Sequence, residues 1–445
     1  MDFVLQNCRI VGEGAVREGD VRVRGGRIAE IGGALSARNG ETAKDAGGML
    51  LFPGLIDDQV HFRQPGLTHK ADIASESRAA AAGGITSFME MPNVIPPTLD
   101  MEKIAEKRAI AAADSRVNYA FYLGASRGNI ADIAAADPRE IAGVKIFMGS
   151  STGDMLVDDE KTLAAIFRAA PTLIATHCES SPRIRENLAR AKKQYGENIP
   201  PEAHPQIRDA EACYESSSRA VALARETGAR LHILHISTAR ELSLFSTGEI
   251  AAKQITCEAC ANHLLFDDSA YAALGMRLKI NPAVKTAADK NALRRAAAEG
   301  RIDIFATDHA PHLPEEKDLP YAAAAAGMPV AEYALPAFLE LAADGDLTYP
   351  QIAARSAHAP ADLFAVKERG YIREGYWADL VLVAEKSTPA RKTILSKCGW
   401  TPFAEKTFHH AVDSVFVNGE TVWENGAVND SVRGKPLEFA RPPKN

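Results

Sequence analysis

Between Pro53 and Lys367, short apolar runs alternate with alanine-rich stretches of helical character, and this alternation constrains the fold more than any other feature of the 445-residue chain. The helical stretches cover residues 72–82, 100–113, 159–170, 216–227 and 287–299. Strand-then-helix units of this spacing build a parallel sheet, and about eight of them in roughly 300 residues favour closure into a TIM-like (β/α)8 barrel over an open sheet. The run from Ala322 to Ala326 reads as a further short helix.

The two chain ends have a different texture. Phe3-Val4-Leu5, Val21-Arg22-Val23-Arg24 and Arg27-Ile28-Ala29-Glu30-Ile31 read as short strands, with Gly25-Gly26 as a hairpin turn. Residues 378–383 and 414–423 repeat the pattern around Asn418-Gly419. Residues 1–52 and 368–445 are therefore expected to pair into one small β-sandwich domain, leaving residues 53–367 as the catalytic barrel.

A net charge of −7 argues against nucleic acid as the main partner, because phosphate binding needs a basic stripe. No apolar run approaches the roughly 20 residues that would span a bilayer, so a small molecule is the expected partner and no membrane is involved. The first residues lack the basic and apolar regions of a secretory signal, which points to the cytoplasm. Among six cysteines, Cys257 and Cys260 form a lone Cys-x-x-Cys. Without a second pair they read as ordinary buried thiols, since a structural zinc normally takes four ligands.

In such a barrel the site lies where strands end, so a functional residue should follow an apolar run. Leu51-Phe52-Pro53-Gly54-Leu55-Ile56 precedes Gln59 and His61, and Leu173-Ile174-Ala175 precedes His177. Leu231-His232-Ile233-Leu234 precedes His235, and Ile302-Asp303-Ile304-Phe305-Ala306 precedes Asp308. His232, three residues before His235, would point differently and is set aside as a ligand. Lys145 stands inside the apolar run Val144-Lys145-Ile146-Phe147, where a bare ammonium is costly. It needs either a buried carboxylate partner or carbamylation, in which the neutral amine adds carbon dioxide and becomes an anionic ligand. Residues 313–327, with Pro314-Glu315-Glu316-Lys317, suit either a lip over the site or a charged surface loop.

Several blocks carry a resemblance over nearly the whole chain: Phe52-Pro53-Gly54-Leu55-Ile56-Asp57, His61-Phe62-Arg63-Gln64-Pro65-Gly66, Glu90-Met91-Pro92-Asn93, Val144-Lys145-Ile146-Phe147-Met148-Gly149, His235-Ile236-Ser237-Thr238, Lys279-Ile280-Asn281-Pro282 and Thr307-Asp308-His309-Ala310-Pro311-His312. In these the chain resembles the dihydroorotases, among the cyclic amidohydrolases that also include hydantoinases, allantoinases and dihydropyrimidinases. The resemblance implies a zinc site of two ions, or of one, with His61 on one metal, His177 and His235 on the other, and carbamylated Lys145 between them. It implies that Asp308 binds metal and acts as the catalytic general base and acid. Arg63 and Asn93 would grip a substrate carboxylate, Asn281 would contact the ring, and His312 would close on the substrate. The implied reaction is the reversible cyclisation of N-carbamoyl-L-aspartate to L-dihydroorotate in pyrimidine biosynthesis, by a homo-oligomer of two or four chains.

One position departs from the family pattern. The first motif is usually His-x-His, and Gln59 stands at its first position. An amide oxygen is a poorer zinc ligand than imidazole. Gln59 could ligate weakly, the metal at His61 could be labile, or one zinc could suffice. Loss of catalysis, with survival as a scaffold, is the remaining alternative.

Overall fold

The computed structural model describes residues 2–149 and 155–443. The chain opens with β1 (Phe3–Gly12), β2 (Ala15–Arg24), β3 (Arg27–Gly32), β4 (Thr42–Asp45) and β5 (Leu50–Pro53). Next come β6 (Leu55–Val60), β7 (Ile85–Glu90), β8 (Asn118–Phe121), β9 (Leu123–Gly124), β10 (Val144–Phe147), β11 (Ile174–His177), β12 (Leu231–Ile233), β13 (Ile255–Cys260) and β14 (Ile304–Ala306). The closing strands are β15 (Leu380–Ala384), β16 (Thr388–Pro389), β17 (Thr407–Phe408), β18 (Ala411–Val417), β19 (Glu420–Glu424) and β20 (Ala427–Val428).

Strands β6 to β14 form the parallel barrel. One run is β6-β7-β8 and the other is β9-β10-β11-β12-β13-β14, with β8 and β9 two pieces of one barrel position. The ring closes where Val60 bridges His309 in parallel and His61 N–H donates to the His309 carbonyl at 2.8 Å. Apart from Ile255 at the start of β13, the side chains of the barrel strands are buried, as expected of parallel strands covered on both faces.

Both ends of the chain join in one nine-stranded sheet, in the order β20-β19-β18-β15-β5-β1-β2-β3, with β4 beside β1. The unbroken apolar run of β15 is explained by its two faces. Leu380 and Leu382 pack with Phe3, Leu5 and Phe416, whereas Val381 and Val383 join the barrel core. The Gly25-Gly26 and Asn418-Gly419 turns pack against each other, and a Cβ on Gly26 would lie 2.5 Å from the Asn418 carbonyl oxygen. Gly26 and Gly419 also have φ 80° and 76°, so an L-residue is excluded twice over at either position. Among the described residues, no helix is long and apolar enough to cross a membrane.

The helices begin where short acidic side chains cap them. Asp72, Asp100 and Asp159 accept the N–H groups of Ser75, Lys103 and Thr162, opening the helices Ile73–Ala82, Met101–Asp114 and Glu160–Ala169. Two sequence expectations are corrected. The helix expected from Ser216 starts earlier, at Ala210, because Asp209 caps it and Ser217 turns its hydroxyl to Glu241 instead. Residues 322–326 form a turn and an irregular segment rather than a helix. The buried Lys279 ammonium takes the carbonyls of Tyr321 and Ala324, and Lys317 takes those of Ala325 and Gly327, which pins the backbone outside a helical ladder.

Candidate active site

A cavity of about 290 Å³ opens at the C-terminal ends of the barrel strands. Gln59, His61, Arg63, Asn93, Lys145, His177, His235, Asn281, Asp308 and His312 all line it, so the structure brings together every site residue expected from the sequence. Three are held in left-handed backbone conformations, Arg63 at φ 68°, His235 at φ 37° and Asp308 at φ 49°. Each costs about 1 to 2 kcal/mol for a residue with a Cβ. All three lie just past strand ends, where the turn aims the side chain into the cavity.

The imidazoles turn ring nitrogens toward one another and toward a carboxylate. His61 Nδ1 lies 2.7 Å from Asn93 Oδ1, which can only accept, so the proton sits there. The bare Nε2 then faces a carboxylate oxygen of Asp308 at 3.2 Å. His177 gives its Nε2 proton to Glu179 at 2.8 Å, leaving Nδ1 at 2.9 Å from His235 Nε2. Among the described residues, the buried His235 Nδ1 has no hydrogen-bond partner. Burial holds all three imidazoles below the ordinary histidine range, and therefore neutral near pH 7. Neutral imidazoles facing each other and a carboxylate are a donor set that a divalent cation fits.

Lys145 is 1% exposed and, among the described residues, makes no salt bridge; its Nζ lies 4.6 Å from the Phe147 ring centre. Burial lowers its pKa to about 8, against the pull of Glu258 and Asp308. Of the two readings left open by the sequence, the carboxylate pair is absent among the described residues, and the neutral amine becomes the major form above about pH 8. Cys257 and Cys260 are buried free thiols, and burial raises both well above the ordinary range.

Arg63 is 6% exposed and among the described residues has no acidic partner. Its Nε donates to the Pro311 carbonyl at 3.2 Å and its Nη2 lies 3.0 Å from His312 Nε2. Asn93 spends its oxygen on His61, so its amide N–H groups remain for the cavity.

Residues invisible as a group in the sequence support these. Arg208 pairs with Glu179, which orients His177. Below the cavity His232, set aside as a ligand of the expected pair, lies between Asp58 at 3.4 Å and Glu258 at 3.3 Å, with Nδ1 on Thr256. The three ligand atoms lie within 4.8 Å of one another, close enough to hold a metal ion. Burial disfavours the imidazolium, but the two carboxylates outweigh it and raise the His232 pKa. Glu258 also accepts the His235 backbone N–H at 3.0 Å, tying this triad to the cavity floor. Only the period-2 placement of Asp58 and Glu258 in barrel strands hinted at it.

Residues 50–422 match the Amidohydrolase family. The chain belongs to that family. Among curated relatives it is 36% identical to a dihydroorotase of Halobacterium salinarum, covering 94% of this chain and 96% of the relative. It is 30% identical to an allantoinase of Bacillus velezensis, over 97% and 96%. The L-hydantoinase (dihydropyrimidinase) structure from Arthrobacter aurescens superposes with a TM-score of 0.91 at 26% identity, covering 98% of this chain and 99% of that one. This amidohydrolase is a hydrolase of cyclic amides, in a family generally dependent on metal.

Proposed function

We propose that the chain is a zinc-dependent dihydroorotase, interconverting N-carbamoyl-L-aspartate and L-dihydroorotate. The observation that carries this reading is Arg63, a buried guanidinium facing the cavity without an acidic partner among the described residues. A buried cation calls for an anion, and the planar fork of arginine suits a carboxylate. Dihydroorotate carries a ring carboxylate; hydantoin, allantoin and dihydrouracil do not, and would leave Arg63 unpaired at a cost of roughly 1 to 3 kcal/mol.

His61, His177, His235, Asp308 and carbamylated Lys145 would hold the metal. Carbamylation joins the neutral Lys145 amine to carbon dioxide and releases one proton. Bound zinc would activate water near neutral pH and polarise the ring carbonyl. Asp308 would carry the proton from that water to the ring nitrogen as the amide opens. Arg63 and the Asn93 amide hold the carboxylate, and Asn281, whose Oδ1 is buried without a partner among the described residues, offers an acceptor toward the ring. Closure consumes one proton and releases water, so acid favours the ring and base favours hydrolysis.

The allantoinase and hydantoinase relatives share the fold, which leaves ring choice to the cavity. The test is turnover of dihydroorotate, hydantoin, allantoin and dihydrouracil by the purified zinc-loaded chain. Dihydroorotate should exceed the uncharged rings in kcat/KM by at least about tenfold, the equivalent of 1.4 kcal/mol; preference for an uncharged ring would overturn the proposal.

A further inference from the structure

We propose that Lys70 is a positioning residue that fixes the tautomer of His312, keeping its Nε2–H as a donor to the substrate carboxylate; this deepens the carboxylate reading of Arg63 and rests on it. Lys70 lies in the loop between β6 and the helix Ile73–Ala82, and its Nζ reaches His312 Nδ1 at 3.2 Å and Glu316 Oε1 at 2.7 Å. On the other side of the ring, Arg63 Nη2 lies 3.0 Å from Nε2. Both neighbours are cations with only N–H groups to offer, so burial and the two charges keep His312 neutral.

A neutral imidazole has one N–H and one acceptor nitrogen. One of its two cationic contacts must therefore place N–H against N–H. Lys70 is clamped by Glu316 and donates to Nδ1, which leaves the proton on Nε2, beside Arg63. The Ala326 backbone, another hydrogen-bond partner of the ring, also calls for an N–H there or on Nδ1. The opposite tautomer would turn its Nδ1 proton on the Lys70 ammonium at 3.2 Å, beside Glu316 Oε2 at 3.5 Å, an oxygen that already accepts the Leu313 N–H at 2.9 Å. The Trp400 indole donates to the His312 carbonyl at 2.7 Å, which fixes the backbone that carries the ring.

The mismatch at Nε2 is what makes the site receptive. A carboxylate accepts from both the Nε2–H and the Arg63 guanidinium, turning two opposed donors into a matched pair. Without Lys70 the proton is free to move to Nδ1, Nε2 accepts from Arg63, and the two side chains satisfy each other. The anion must then break that bond to bind.

The test combines kinetics with 15N-histidine correlation spectra of the zinc-loaded protein, the His312 signal being identified by its loss in His312→Gln. Wild type should show the Nε2–H tautomer and Lys70→Met a shift toward Nδ1–H. Lys70→Met should raise KM for dihydroorotate about tenfold with kcat changed less than about twofold, and Lys70→Arg should restore most of the loss. An Nδ1–H tautomer in wild type, or an unchanged KM in a folded Lys70→Met protein, overturns the assignment. If dihydroorotate is not a substrate at all, the carboxylate reading falls, while the wild-type tautomer still decides whether Lys70 sets the ring.

Discussion

Gln59 Nε2 donates to Asp308 Oδ1 at 3.1 Å, the oxygen that also stands 3.2 Å from His61 Nε2. The amide oxygen points the other way, 3.8 Å from the Cys260 sulfur. Gln59 therefore steadies the proposed proton carrier with its amino group and offers no oxygen beside it. Gln59→Met should lower kcat about tenfold, the worth of one hydrogen bond to a charged group, while zinc content by mass spectrometry stays within a quarter of wild type (a margin of about 25%). A parallel fall in zinc would mean that Gln59 is a ligand after all.

Lys145→Ala removes the group proposed to become the anionic ligand. Zinc content and turnover should fall together, activity by about 1000-fold or more, as for loss of a metal-held catalytic constellation. A short carboxylate such as propionate, supplied at high concentration, should recover part of both. A Lys145→Ala protein that keeps full zinc would rule the bridging role out.

The sequence signals that succeeded were local. Asp72, Asp100 and Asp159 precede alanine-rich stretches, and a capping side chain acts within four residues, so helix starts were legible. His61, His177, His235 and Asp308 were legible because each follows its own apolar strand. Lys70 and Glu258 were not, since their significance lies in reaching His312 and His232 from other parts of the chain, and Glu179, two residues past His177, gains its role through the distant Arg208 that pairs with it. Residues 322–326 misled because alanine favours a helix wherever nothing else claims its carbonyls, and here two distant lysines do.

Arg63→Met should spare the metal and cripple the carboxylate substrate. The change removes a buried charge-assisted contact, so kcat/KM for dihydroorotate should fall about 100-fold or more, with zinc content and the melting temperature near wild type. Any residual turnover of dihydrouracil should fall far less. Equal activity toward dihydroorotate in this variant would remove the carboxylate argument.

The pH dependence of activation should belong to Lys145. Its pKa is lowered to about 8, so the neutral amine that reacts with carbon dioxide is gained above that value and lost as pH falls through it. His61, His177 and His235 are held below their ordinary range and do not titrate in that window. Reconstitution of metal-free protein with zinc and a fixed concentration of dissolved carbon dioxide should therefore slow about tenfold per pH unit below about pH 7 and level off above about pH 9. A rate flat from about pH 6 to 9 would exclude amine capture as the limiting step.

The loop at the cavity mouth should depend on Lys317. Its ammonium is fully buried and donates to the carbonyls of Lys279, Ala325 and Gly327 at 2.7, 2.8 and 2.9 Å. Gly327 itself cannot yield space, because a Cβ there would lie 2.5 Å from the Ala310 carbonyl oxygen and 2.9 Å from the His312 ring. Lys317→Met keeps the aliphatic volume but strands three carbonyls, at a net cost of about 3 kcal/mol once the relieved burial of the charge is allowed for. The loss should centre on residues 325–327, because the Lys279 ammonium still holds the carbonyls of Tyr321 and Ala324. Amide exchange in that segment should accelerate well before global unfolding, and KM should rise as Ala326 and Gly327 leave the cavity wall. Unchanged exchange there would show that the loop is held by its packing and that the buried ammonium is dispensable.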